Sequence, residues 1–169
     1  MENKLLLLGI LRRHEMHGYQ LYEYIDQGLS TCTDLKKPTA YFLLNKMAQD
    51  GWISEETAQE GNRPPRKVYR LTASGEAAFQ SLLRQNLAAY DSPAFTGDTG
   101  LAFLDEIAPA EALPLLQQRR SALAEELAST LAAPAHTGSV QLVLEHQRHH
   151  LSAELTWLDG IIEKLQGVI

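Results

Sequence analysis

The order of its apolar periodicities predicts a mainly α-helical chain in two parts: an N-terminal α-α-α-β-β-α unit and a C-terminal helical region. Three observations carry this. Between residues 38 and 71 a short amphipathic helix precedes two strand-like runs separated by a Gly/Pro turn, GNRPPR. From residue 109 onward, leucines recur at three- and four-residue steps over two long stretches. Between these regions lies DSPAFTGDTG, residues 91–100, rich in the residue types of a boundary. The expected divisions are therefore residues 1–90, a linker with a short helix at 91–108, and a two-helix region at 109–169.

In chain order, residues 4–13 predict a first helix that is apolar almost all round and hence buried. His14 to Gly18 read as a turn. A second helix is expected from about Tyr19 to Gln27, with Leu21, Tyr22 and Ile25 at helical spacing and Gly28 as its C-terminal stop. After a loop at 29–37, a third helix opens at Pro38, where a missing N–H costs nothing, and stops at Asp50-Gly51. Its apolar side is Ala40, Leu43, Leu44, Met47 and Ala48, and its other side carries Thr39, Phe42, Asn45, Lys46 and Gln49. Trp52 and Ile53 begin a strand, the stiff tip follows, and a second strand ends at Leu71. Thr72-Ala-Ser-Gly75 then leads into a fourth helix, about Glu76 to Tyr90, with an apolar stripe at Ala78, Phe79, Leu82, Leu83 and Leu87. A helix followed by a two-stranded wing makes residues 1–90 a winged helix-turn-helix.

That arrangement is a shape for DNA. A helix with hydrogen-bonding side chains can enter the major groove while a rigid basic tip reaches phosphates. Residues 62–70 hold Arg63, Arg66, Lys67 and Arg70 and no acid. The expected DNA-binding residues are Thr39, Tyr41, Phe42, Asn45 and Lys46 on the helix and Arg63, Arg66 and Lys67 on the wing. A net charge of −6 runs against nucleic-acid binding. Its distribution softens this objection: residues 1–90 hold 11 Lys+Arg and 10 Asp+Glu, whereas residues 91–169 hold 4 and 11. The acid is confined mostly to the part that need not approach phosphate.

Composition narrows the remaining classes. One cysteine, Cys32, rules out an internal disulfide and suits a reducing cytosol. It lies beside Thr31, Thr33 and Asp34 with no adjoining cation, so it reads as a passive thiol rather than a redox sensor. The apolar run Leu5 to Leu11 is too short to span a bilayer and lacks a cleavage site, so a cytoplasmic protein is expected. There is no P-loop, GxGxxG, HExxH or GxSxG, and no convergent carboxylate pair, so neither an enzyme nor a cofactor is expected.

Three segments resemble the PadR family: His17-Gly18-Tyr19, Thr39-Ala40-Tyr41, and Pro65-Arg66-Lys67-Val68-Tyr69-Arg70-Leu71-Thr72 followed by Gly75. Their order and spacing fit that family over about residues 4–90. The resemblance implies a bacterial transcription regulator, most often a repressor. It would bind an inverted-repeat operator as a homodimer and respond to small aromatic or drug-like effectors. The sequence departs from the family pattern at Pro38, Ala40 and Phe42, where glycine, leucine and proline are usual. Those positions lie at or near the DNA-facing part of the helix, so the operator does not carry over.

In the C-terminal part, Pro109 opens a helix to about Ala132, with Leu116, Leu123, Leu127 and Leu131 on one side. Pro134 and Gly138 mark a turn, and a last helix runs from about Ser139 to Leu165. Leu144, Leu151, Leu155, Leu158, Ile162 and Leu165 form a heptad seam interrupted by Arg148, and this seam is the expected dimerisation surface. His146, His149 and His150 point away from the seam and read as a solvated face rather than a metal site. Trp52 reads as core between the third helix and the wing. Trp157 falls off the seam, so it either lines an effector pocket or covers the winged helix. The expected function is a dimeric, ligand-responsive DNA-binding repressor. The alternative is a winged-helix protein-interaction module without specific DNA binding.

Overall fold

The structure, a computed structural model, describes residues 2–13, 16–17, 20–21, 23–24, 35–58, 66–90, 92, 95 and 97–167. The chain separates into two compact units, Met1–Ser92 and Pro93–Ile169.

The first unit contains α1 (Glu2–Arg13), β1 (Met16–His17), α2 (Lys37–Gln49), β2 (Ile53–Ala58), β3 (Arg66–Leu71) and α3 (Ala73–Ala88). Gln20, Leu21, Glu23 and Tyr24 are helical as well. The remainder of the expected second helix, Cys32, and the wing tip with Arg63 lie outside the described residues. The sheet is antiparallel, in the order β1-β3-β2. The sequence reading made residues 14–18 a turn, whereas Met16 and His17 pair with Tyr69 and Val68. Two residues carry no periodicity, so this strand exists only through its partner.

Leucines of α1 dominate the core. Leu7 and Leu8 are fully buried with Leu21, Leu44, Met47 and Tyr69, and Leu82 and Phe79 of α3 pack from outside. Trp52 also packs against this core, as expected, and Lys4 lies 4.8 Å above its ring.

Two local devices fix how α2 hands over to the wing. The first ends the helix. Gly51 has φ +72°, its N–H reaches the Ala48 carbonyl at 3.1 Å, and the Trp52 N–H reaches Met47 at 2.9 Å. This closes the last turn with a left-handed residue and packs Trp52 back over Met47. The second ties the junction between α2 and β2 to the start of α3. The Thr72 hydroxyl accepts the Gly75 N–H at 3.0 Å and donates to the Gly51 carbonyl at 2.7 Å, while Ser74 donates to the same carbonyl at 2.6 Å. The helix therefore starts at Ala73 rather than at Glu76, because Thr72 is its N-cap and Gly75 lies within its first turn.

The second unit holds α4 (Asp98–Leu101), a 3-10 turn (Leu104–Glu106), α5 (Pro109–Ala132) and α6 (Ser139–Gln166). The two long helices are antiparallel and joined by a short turn. Arg119 meets Glu154 at 2.6 Å, Arg120 meets Asp159, and Arg148 donates to the Thr130 carbonyl at 2.6 and 3.1 Å. The last contact explains the arginine that interrupts the seam: it satisfies a carbonyl in the final turn of α5, where cations are favoured. Leu158 and Ile162 pack with Leu116, and Leu101, Leu104, Leu123 and Leu165 surround them. The short helix expected in the linker thus contributes Leu101 to this core. Among the described residues no helix is long and apolar enough to cross a membrane.

Candidate nucleic-acid interface

Helix α2 buries Ala40, Leu44 and Met47, which turns a single stripe outward. Thr39, Phe42, Asn45, Lys46 and Gln49 are all exposed, at the three- and four-residue steps that place side chains one above another. Four of the five expected helix contacts therefore share one face. Tyr41 does not: it is half-buried and packs against the core. It directly precedes Phe42, a rotation of about 100° on a helix with 3.6 residues per turn. Gln49 extends the stripe by one further turn.

The wing meets this stripe along a shallow open groove lined by Asn45, Ala48, Gln49, Ile53, Ser54, Glu55 and Lys67. Strand alternation decides which wing residues face it. Ile53, Glu55 and Thr57 share a side with Leu71, Tyr69 and Lys67, their partners across the ladder. Ile53 and Tyr69 take the buried end of that side, leaving Glu55 and Lys67 beyond them toward the tip. Burial raises the Tyr69 phenol pKa, with the Glu55 carboxylate as the second cause.

Charge on the wing is balanced in a way that counting along one strand hid. Lys67 forms an ion pair with Glu55 at 2.7 Å, and Arg70 with Glu56 at 2.9 Å. The Glu55 hydrogen bond raises the Lys67 pKa. The acids come from the opposite strand, so a window on residues 62–70 could not reveal them. Glu55 is the residue of this groove that sequence reasoning missed. Its only signal was its place two residues after the buried Ile53. The backbone of Arg66 lies at the start of β3, paired with Ala58, and its side chain is outside the described residues, as is all of Arg63.

The residues expected to mediate dimerisation divide. Leu151, Leu158 and Ile162 are buried within the single chain, whereas Leu144, Leu155 and Leu165 are half-buried. The seam is used, in large part, by α5. Within the second unit, among the described residues, α6 has an exposed outer side: Val143, His146, His150, Ala153 and Trp157 follow one another at steps of three and four, Trp157 exposed by 44%. His149 is exposed too. Among the described residues no group of three or more His, Cys, Asp or Glu could hold a metal ion.

Comparison with known proteins covers both the sequence and the fold. Residues 7–81 match the transcriptional regulator PadR-like family. Over 80 residues the chain is 33% identical to the negative transcriptional regulator PadR of Bacillus subtilis (strain 168); the match covers 47% of this chain and 44% of that protein. The chain thus aligns with less than half the length of this curated relative. The fold resembles the crystal structure of Bacillus subtilis PadR in complex with operator DNA, with a TM-score of 0.83 at 23% identity over 96% of this chain and 98% of that one. The same protein in complex with p-coumaric acid gives 0.77 at 20% identity over 96% and 94%. A PadR-like transcriptional regulator from Bacillus cereus gives 0.73 at 18% identity over 98% and 96%.

Proposed function

We propose, from the match of residues 7–81 to the transcriptional regulator PadR-like family, that this chain is a sequence-specific DNA-binding transcription regulator, acting as a repressor. The observation that carries the proposal is the exposed stripe Thr39, Phe42, Asn45, Lys46 and Gln49 beside a wing that begins at the same groove. The stripe enters the major groove. Asn45 and Gln49 offer the paired donor and acceptor that match an adenine edge, and Lys46 meets guanine or phosphate. Arg63, Arg66 and Lys67 engage the flanking phosphates and supply salt-dependent affinity. Tyr41 acts from the core side, holding α2 against the domain. The fold shared with a relative crystallised on operator DNA supports this reading.

The regulator works as a homodimer on an inverted repeat, since two copies of α2 about 34 Å apart read a palindrome that one cannot. The outer side of α6, with Val143 and Trp157, is the self-association surface, because the heptad seam is already occupied by α5. A small aromatic effector stacks on Trp157 at this surface. By shifting the separation of the two reading helices, it releases DNA, since both half-sites must be in register together. The relative bound to p-coumaric acid supports the chemical class. Release of bound DNA by aromatic acids, lost in Trp157→Ala, tests it.

A second reading, a winged-helix protein-interaction module, is favoured by the pairing of Lys67 and Arg70 with carboxylates. Fluorescence anisotropy on DNA from just upstream of the chain's own gene separates the two. The regulator binds tightly through excess competitor DNA and loses that binding in Asn45→Ala. Binding that is weak, and equal on any duplex, supports the module.

A further inference from the structure

We propose that Phe42 is a specificity residue that reads the 5-methyl group of a thymine in each half-site. This rests on the DNA-binding reading of the same face. Phe42 is 64% exposed at the middle of a stripe whose other members, Thr39, Asn45, Lys46 and Gln49, all carry hydrogen-bonding groups. It adds nothing to the core: Ala40 and Leu44 beside it are buried, whereas its own ring is turned to solvent. An aromatic ring in that setting is available to an apolar partner. In the major groove the thymine methyl is the apolar feature of the base-pair edges, and phenylalanine is among the side chains that meet it.

The neighbours sharpen the inference. Asn45 stands one turn beyond Phe42, and a bidentate asparagine prefers adenine. Three residues of helix advance about 4.5 Å, close to the ~3.4 Å rise of one base pair. Phe42 and Asn45 therefore address neighbouring base pairs, and the half-site carries a thymine next to the adenine that Asn45 selects. Methyl contact is distinct from hydrogen-bond readout, because removing the methyl leaves base pairing and every hydrogen-bonding group intact.

The test uses the full chain and a duplex it selects from a random-sequence pool. Each thymine is replaced singly, in both half-sites symmetrically, by deoxyuridine, and affinities are measured by anisotropy for the wild type and for Phe42→Ala. Expected is one symmetric position at which the wild type loses about tenfold, with Phe42→Ala bound equally to both duplexes. Phe42 is exposed, so the variant keeps its thermal unfolding midpoint, and this is checked alongside. If no thymine position is methyl-sensitive, or if Phe42→Ala retains the same sensitivity, the assignment is wrong while DNA binding stands. If no duplex is selected at all, the DNA-binding reading fails first and this assignment with it.

Discussion

The carbonyl oxygen of Trp52 stands where a side chain on residue 75 would begin: a Cβ on Gly75 would lie 1.9 Å from it. The same carbonyl accepts the Thr72 N–H at 3.1 Å, so the end of the wing and the start of α3 are pinned to the residue that follows α2. The neighbour is backbone and cannot swing aside. Gly75→Ala is expected to cost about 2–3 kcal/mol, and Thr72→Ala about 1 kcal/mol through loss of the cap. Thr72→Ser should restore most of the latter. Urea unfolding of the three variants measures this, and Gly75→Ala as stable as the wild type would show that the junction yields.

A pH effect follows from Arg12 and Glu76. The Arg12 Nε–H donates to both carboxylate oxygens, at 2.8 and 3.0 Å, and this holds the Glu76 pKa below its ordinary 4.5. A depressed folded-state pKa stabilises above the unfolded value and ceases to do so as pH falls through the folded one. Glu76→Gln should therefore unfold earlier than the wild type at neutral pH, with the two curves converging below pH 4.5. Thermal melts across that range check the convergence; a constant gap would assign the loss to packing instead.

On the wing, Glu55 holds Lys67 in an ion pair at 2.7 Å, and under the proposed DNA-binding reading that carboxylate competes with phosphate. Glu55→Gln should tighten binding to all DNA sequences several-fold and steepen the salt dependence by about one unit, as expected for one further phosphate contact. An unchanged slope would place Lys67 away from the backbone. Because Glu55 and Lys67 lie on the exposed part of the ladder, folding should be unaffected.

The two sides of α6 should respond differently to charge. Trp157→Glu introduces a carboxylate on the outer side and should give monomers with wild-type helicity. Ile162→Glu buries a charge against Leu116 and should instead reduce helicity and unfolding temperature. Light scattering with circular dichroism distinguishes these outcomes. A dimeric Trp157→Glu would move the self-association surface elsewhere.

How much of this was legible in the sequence varies with the kind of signal. Pro38, Gly51, Pro109 and Gly138 punctuate the chain through local backbone chemistry, and the helices they bound were placed within a few residues. Gly75 misled for the opposite reason. A glycine in TASG reads as a break, and only the Trp52 carbonyl overhead explains why the helix keeps it. The two-residue strand at Met16 has no local signal at all. Polar and apolar sides of α2 were separable by period. Tyr41, expected among the DNA-binding residues, is half-buried and packs against the core, a placement that its sequence neighbours did not signal. The heptad on α6 was visible, but periodicity does not name the partner. An intrachain α5 satisfies the same pattern as a second copy. Lys67 and Arg70 looked free because their acids lie across the ladder, fourteen or fewer residues away in sequence yet adjacent in space.

The central claim is that the α2 face reads DNA sequence, and selection of duplexes from a randomised pool by the full chain tests it most directly. The account predicts an inverted repeat with half-sites about one helical turn apart, lost when Asn45→Ala replaces the wild type. Recovery of no preferred sequence, or of the same sequence by Asn45→Ala, would contradict it.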